Sequence, residues 1–297
     1  CTTTITFCFW KELKDGFFAG GKLLDMPLAK KMLSFTWPIL FLGIAGILNQ
    51  TAGYIIFPYV YKDNDAHTQL GIFGAASKIA MIMSMITQAF RYAYEPFVFG
   101  KARDKDNKET YARAMKFFII FTLLAFLVVM GYMDILRHII GRDYWVGLKV
   151  VPIVMAGGIM TGVYFNLSFW YKLIDKTIWG AYFSGIGCAV IIGINVIFVP
   201  KYGYIACAWA GFMGNATAMV LSYLVGQRKY PINYPLKSIF VYLLIAGFFF
   251  AGITDTNANL PVPAALVINT LVIILFIAHV LYHDFPLQKL RSRFAKK

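Results

Sequence analysis

The chain has 297 residues, of which 59% are hydrophobic and only 14% charged, and its formal net charge is +14. A water-soluble fold of this length cannot hide so much apolar surface, so the composition excludes an ordinary soluble enzyme or binding module and points to an all-α, polytopic membrane protein. The basic excess fits either a nucleic-acid partner or the short cytoplasmic loops of a membrane protein, and the placement of the charges decides between them.

The first ten residues, CTTTITFCFW, read as the end of a hydrophobic segment in a longer, truncated protein. Leu24, Leu28, Met32 and Phe35 then recur at helical spacing while Lys22, Lys30 and Lys31 take other faces, the pattern of a helix lying on a membrane surface. Eight apolar stretches follow, at 37–61, 70–99, 117–136, 146–170, 178–199, 204–226, 238–254 and 263–283. Each reads as a crossing, the seventh being short enough to need its flanks or a thinned bilayer. Three parts result: a truncated helix and connector over 1–36, a six-helix lobe over 37–226, and two further helices with a basic tail over 227–297.

The connections alternate in charge. Those on one side (11–36, 100–116, 172–176, 227–237, 286–297) hold 21 of the 28 Lys and Arg residues, and those on the other side hold five. This alternation follows the positive-inside rule and excludes a nucleic-acid binder, whose basic residues gather on one exposed face. It places the basic side and both ends of the chain in the cytoplasm. Trp37, Tyr59, Tyr61, Trp145, Trp170, Tyr171, Trp179, Tyr202 and Tyr282 lie near span ends and are expected in interfacial belts.

Ionisable groups inside a crossing are costly and need a reason, and the second crossing carries Lys78, Arg91 and Glu95. With Ser84 as zero and 100° per residue, Ser77, Gln88, Arg91 and Glu95 fall at about +20°, +40°, −20° and +20°, one narrow polar stripe. Lys78 lies about 120° away. Arg91 and Glu95 stand one turn apart and can pair, while Pro96 kinks or ends the helix just beyond. Two readings compete: an arginine snorkelling to water beside its counter-ion, or a cation facing a central cavity to meet an anionic substrate. Ser77, Ser84 and Gln88 extend the stripe and favour the second. Asn49 and Gln50, midway along the first crossing, suit either interhelical hydrogen bonding or a polar pathway. Arg91, Lys78, Glu95, Gln88, Ser84, Asn49 and Gln50 are therefore the candidate substrate-binding residues.

Asn166, Asn195 and Asn215 read as interhelical glue. In the sixth crossing Ala206, Ala210, Gly214, Ala218, Ser222 and Gly226 recur every four residues, a strip that lets helices approach closely, and Gly158 and Gly162 repeat the theme in the fourth. Cys1, Cys8, Cys188 and Cys207 form no CxxC pair and read as apolar fillers. The sequence lacks nucleotide-binding, hydrolase and metalloprotease motifs, and His67, His138, His279 and His283 are scattered, so no catalytic role and no cofactor are expected.

Several segments carry a family likeness: Gly71-Ile-Phe-Gly74-Ala-Ala-Ser77-Lys78 with Pro96, Gly141-Arg-Asp-Tyr144, Tyr164-Phe-Asn166-Leu-Ser-Phe-Trp170 through Thr177, and Asn195-Val-Ile-Phe-Val-Pro200-Lys-Tyr-Gly203-Tyr-Ile-Ala206-Cys-Ala208. In this order the chain resembles the C-terminal half of the polysaccharide exporters. These are lipid-linked oligosaccharide flippases within the multidrug, oligosaccharidyl-lipid and polysaccharide superfamily. Ala206 and Cys207 depart from the usual Gly-Ala there, which bears on packing. The resemblance implies about eight transmembrane helices, forming the second six-helix lobe of a flippase-like transporter plus two extra C-terminal helices. It further implies a bacterial cytoplasmic membrane and an undecaprenyl-pyrophosphate-linked oligosaccharide moved by alternating access for polysaccharide biosynthesis. Expected partners are membrane lipids, the missing N-terminal lobe, and a glycan polymerase and glycosyltransferases. Coupling to sodium, protons or membrane potential stays open, with Glu95 the candidate proton carrier. The alternatives are a multidrug exporter, which would prefer acidic cavity residues, and an integral-membrane enzyme of glycan synthesis.

Overall fold

A computed structural model describes residues 26–62, 65–100, 107–174 and 176–284, so Cys1, Cys8 and most of the predicted surface helix lie outside the described residues. Every regular element among them is helical, as hydrocarbon requires of a backbone that must satisfy its own hydrogen bonds. The order is α1 (Met26–Val60), α2 (Ala66–Gly100), α3 (Asn107–Gly131), α4 (Met133–Leu136), two 3₁₀ turns (Arg137–Ile139 and Arg142–Val150), α5 (Val151–Leu167), α6 (Phe169–Leu173), α7 (Ile178–Tyr202), α8 (Tyr204–Lys229), α9 (Leu236–Asn259) and α10 (Val262–Asp284).

Seven segments of the described residues are long and apolar enough to cross a membrane, with Arg142–Leu173 counting as one. The first predicted crossing lies in α1, an eighth long helix. Residues 26–36 run into that crossing without a break, so this stretch continues the crossing helix and does not form a separate surface helix. At 35 residues, α1 and α2 are each about 52 Å long and extend past a hydrocarbon layer of about 30 Å. The predicted short crossing, 238–254, draws on both flanks and reaches 24 residues as α9.

Helix α8 is the hub, packing on α7, α5, α1 and α2. Its predicted strip is realised, since Ala206, Ala210, Gly214, Ala218, Ser222 and Gly226 are all buried. A Cβ on Gly226 would come 2.9 Å from the Trp170 indole nitrogen, and one on Gly157 of α5 would sit 3.4 Å from the Phe212 Cα. Gly158 and Gly162 of α5 do the same work toward α2 and α3: Cβ atoms there would meet Met83 at 2.9 Å and Phe118 at 2.2 Å. Gly203 joins α7 to α8 at φ 56°, a left-handed conformation in which a side chain would also press on Gln69.

Trp170 and Tyr171 correct the sequence reading. Both are buried in a cluster with Tyr164, Phe183 and Ala218, so they belong to the core and not to an interfacial belt. The Trp170 Nε1 donates to Ser222 Oγ at 3.4 Å, and the Tyr164 hydroxyl lies 3.0 Å from Ser184 Oγ, tying α6 to α8 and α5 to α7.

The bundle has two distinct ends. At one, the Arg142–Val150 turn seats Gly147 against Ile72 of α2, and Tyr204 donates to the Val146 carbonyl. At the other, Tyr94 meets Phe169 edge-on, Tyr111 donates to the Val98 carbonyl, and Lys108 lies over Tyr230. The second end gathers the connections that the sequence marks as basic, and burial there pushes the hydroxyl of the loop residue Tyr234 well above the usual tyrosine range. Helices α9 and α10 pack on α3. Asn269 donates to the Gly131 carbonyl and to Asn257 at one end of that contact, and Asp284 takes Lys116 and the Tyr242 hydroxyl at the other.

Candidate functional site

The second helix buries Phe73, Ala76, Ile79, Ala80, Met83, Thr87, Tyr94 and Val98. That face is centred some 80° round the helix from the polar stripe, so the stripe runs along the border between buried and exposed surface. This border splits the candidates. Gln88, Arg91 and Glu95 are part-buried, whereas Ser84 and Lys78 lie on the open side with Met81 and Met85. Ser77 sits against Tyr54 of α1. Lys78 and Arg91 are 13 residues apart on one helix, about 20 Å along its axis, and do not converge. On α1, Gln50 is exposed, while the Asn49 side-chain oxygen is buried with no hydrogen-bond partner among the described residues.

Charge is concentrated near the C-terminal end of α2. Arg91 Nε stands 3.7 Å from Glu95 Oε2, confirming the expected pairing, but Glu95 makes its short contact elsewhere, with Lys172 Nζ of α6 at 2.6 Å. The Arg91 guanidinium lies over the Phe165 ring at 4.8 Å, and the Lys172 ammonium lies 5.3 Å from the Phe169 ring centroid. Two cations thus rest over two aromatic rings one turn apart, both part-exposed, with the Arg91 side chain 35% and the Lys172 side chain 22% accessible. Pro96 does not end α2, which continues to Gly100.

Around this trio several buried polar atoms have no hydrogen-bond partner among the described residues: Thr87 Oγ1, Gln88 Oε1 and the Tyr94 hydroxyl on α2, and Asn166 Oδ1 on α5. Each is costly in a dry core unless a polar group or water bonds it. Asn166 and Asn195 were expected to bridge helices. Instead their amide nitrogens donate back to Gly162 and Ile191 of their own helices, leaving both side-chain oxygens buried and orphaned.

Sequence reasoning passed over Lys172, Phe165, Thr87 and Tyr94. Lys172 looked like one of two loop charges, and nothing in a single sequence links position 172 to 95. Thr87 and Tyr94 were hidden by reading the stripe as a line and not as the edge of a buried face. Among the described residues no group of three or more His, Cys, Asp or Glu could hold a metal ion.

Neither a protein-family model nor a curated protein matches the chain. A solved structure does: the lipid II flippase MurJ in an inward closed conformation, with a TM-score of 0.66 at 16% identity over 92% of this chain. The chain has a MurJ-like fold. It spans 59% of the length of that flippase, and at this identity the likeness establishes the fold and leaves activity to be argued from the site.

Proposed function

We propose that the chain is the C-terminal half of a flippase that moves an undecaprenyl-pyrophosphate-linked oligosaccharide from the inner to the outer leaflet of a bacterial cytoplasmic membrane. The single observation that carries this reading is Arg91: a guanidinium held on the face of Phe165, bordered by orphaned polar atoms, within a fold shared with a lipid II flippase.

The physical demand is specific. A sugar pyrophosphate crosses hydrocarbon only through a wet passage carrying compensating positive charge, while its lipid tail stays among acyl chains. The α2 border supplies such a passage on one wall. Arg91 with its two-pronged donor geometry suits a phosphate, Gln88 and Thr87 offer polar atoms next to it, Ser84 continues the polar surface toward the opposite end, and Lys78 stands beyond it on the exposed side, about 120° round the helix. The exposed side of α2 then faces a second helical bundle, the N-terminal lobe of the same protein, and the two lobes rock to give alternating access. The basic end of the bundle lies in the cytoplasm, so Arg91 meets the headgroup early in its passage and Lys78 meets it late. A glycan polymerase and glycosyltransferases are the natural partners on either side of this step.

The test is complementation of a flippase-deficient strain with the full-length protein. Arg91→Ala abolishes glycan export and Lys78→Ala reduces it, with both variants present in the membrane at wild-type levels. Normal export by both variants overturns the site.

A further inference from the structure

Glu95 sits between two cations, and its geometry toward them is unequal. Its Oε1 is 2.6 Å from Lys172 Nζ, a short charge-assisted hydrogen bond, whereas Oε2 reaches only to 3.7 Å from Arg91 Nε. An isolated Arg and Glu one turn apart on a helix ordinarily close into a direct pair. Here they do not. The guanidinium lies over the Phe165 ring, 4.8 Å from its centroid, and meets Glu95 only at ion-pair distance. Lys172 is held in turn by the Phe169 ring and by its place on α6, a helix whose remaining aromatic residues are buried. The carboxylate is thus drawn away from Arg91 by an anchored competitor.

We infer that Lys172 is a positioning residue: by engaging Glu95 it stops the carboxylate from quenching Arg91, and so keeps the guanidinium free for a phosphate-bearing ligand. The inference rests on the reading of Arg91 given above and adds the device that keeps it available. Charge accounting supports it. The trio carries one net positive charge as built. Loss of the Lys172 charge leaves Arg91 and Glu95 as a neutral pair free to close, and loss of both Lys172 and Glu95 charges restores one free cation.

The experiment measures binding of farnesyl pyrophosphate to the full-length protein in nanodiscs, with farnesol as the control for tail binding. Arg91→Ala weakens farnesyl pyrophosphate binding about tenfold, the worth of a charged hydrogen bond, without changing farnesol binding. Lys172→Met weakens it to a similar degree. Glu95→Gln tightens it severalfold, and the double variant Lys172→Met/Glu95→Gln returns to within about twofold of wild type. Lys172→Arg, which keeps the charge and the fold, binds as wild type. Wild-type binding by Lys172→Met overturns the inference. So does a double variant that stays weak, which would make Lys172 a direct ligand or a mere structural latch. Unchanged binding by Arg91→Ala is a separate failure, of the reading of Arg91 itself.

Discussion

Gly187 of α7 and Gly214 of α8 meet backbone against backbone: a Cβ on Gly214 would lie 2.7 Å from the Gly187 carbonyl oxygen and 2.3 Å from Ile191 Cγ1. In a bilayer, where lipid is as apolar as any side chain, such close packing is a main source of helix association. The α7–α8 pair is therefore a firm wall behind α1 and α5, and the polar border of α2 is presented from a rigid bundle.

Gly214→Ala should destabilise the protein by about 1–3 kcal/mol through overpacking. Gly211→Ala, at a position open to its surroundings, should be close to neutral. Thermal or denaturant unfolding in detergent compares the two directly, and equal stability would show that the α7–α8 contact is looser than the structure has it.

The attachment of α9 and α10 depends on a part-buried ion pair. Asp284 is 8% and Lys116 17% exposed at the side chain, and the Tyr242 hydroxyl donates to the second carboxylate oxygen at 2.7 Å. Asp284→Ala, which strands a cation, should cost about 3 kcal/mol. Lys116→Met/Asp284→Leu, which removes both charges, should lie closer to wild type. Hydrogen exchange of the α9 and α10 amides reads the same effect locally, with faster exchange in the single variant.

At the opposite end Asn269 is fully buried and bonds both the Gly131 carbonyl and Asn257. Asn269→Ala should cost about 1–2 kcal/mol, the range for polar contacts between membrane helices, and it should add to Asp284→Ala because the two contacts share no partner and lie about 22 Å apart along α10. Marked non-additivity in unfolding would show that α9 and α10 detach as one unit.

Much of this architecture was legible in the sequence, because hydrocarbon imposes strict rules on length and polarity. All eight predicted crossings correspond to helices, and the four-residue recurrence from Ala206 to Gly226 named the buried face of α8 before any packing was known. The misreadings have physical causes. Trp170 and Tyr171 sit at a span end, where aromatic residues favour the interface, yet the small side chains of Ser222, Gly180 and Gly226 open space for them inside. Asn166 and Asn195 satisfy their amide nitrogens within their own helices, which hydropathy and spacing cannot distinguish from bridging between helices. At the site, the Arg91–Glu95 pair was legible from spacing alone. Its dependence on Lys172 was not, because 77 residues separate Glu95 from Lys172 and only the fold of α6 against α2 brings them together.

The most direct test of the central claim is a reconstituted transport measurement. Full-length protein in proteoliposomes is given a fluorescent polyprenyl-pyrophosphate-linked sugar in one leaflet, and its arrival in the other is followed by quenching. Arg91→Ala should slow the movement about tenfold or more, with Arg91→Lys retaining an intermediate rate because it keeps the charge but loses the two-pronged geometry. Movement by Arg91→Ala at the wild-type rate would contradict the assignment of Arg91 as the cation that meets the headgroup.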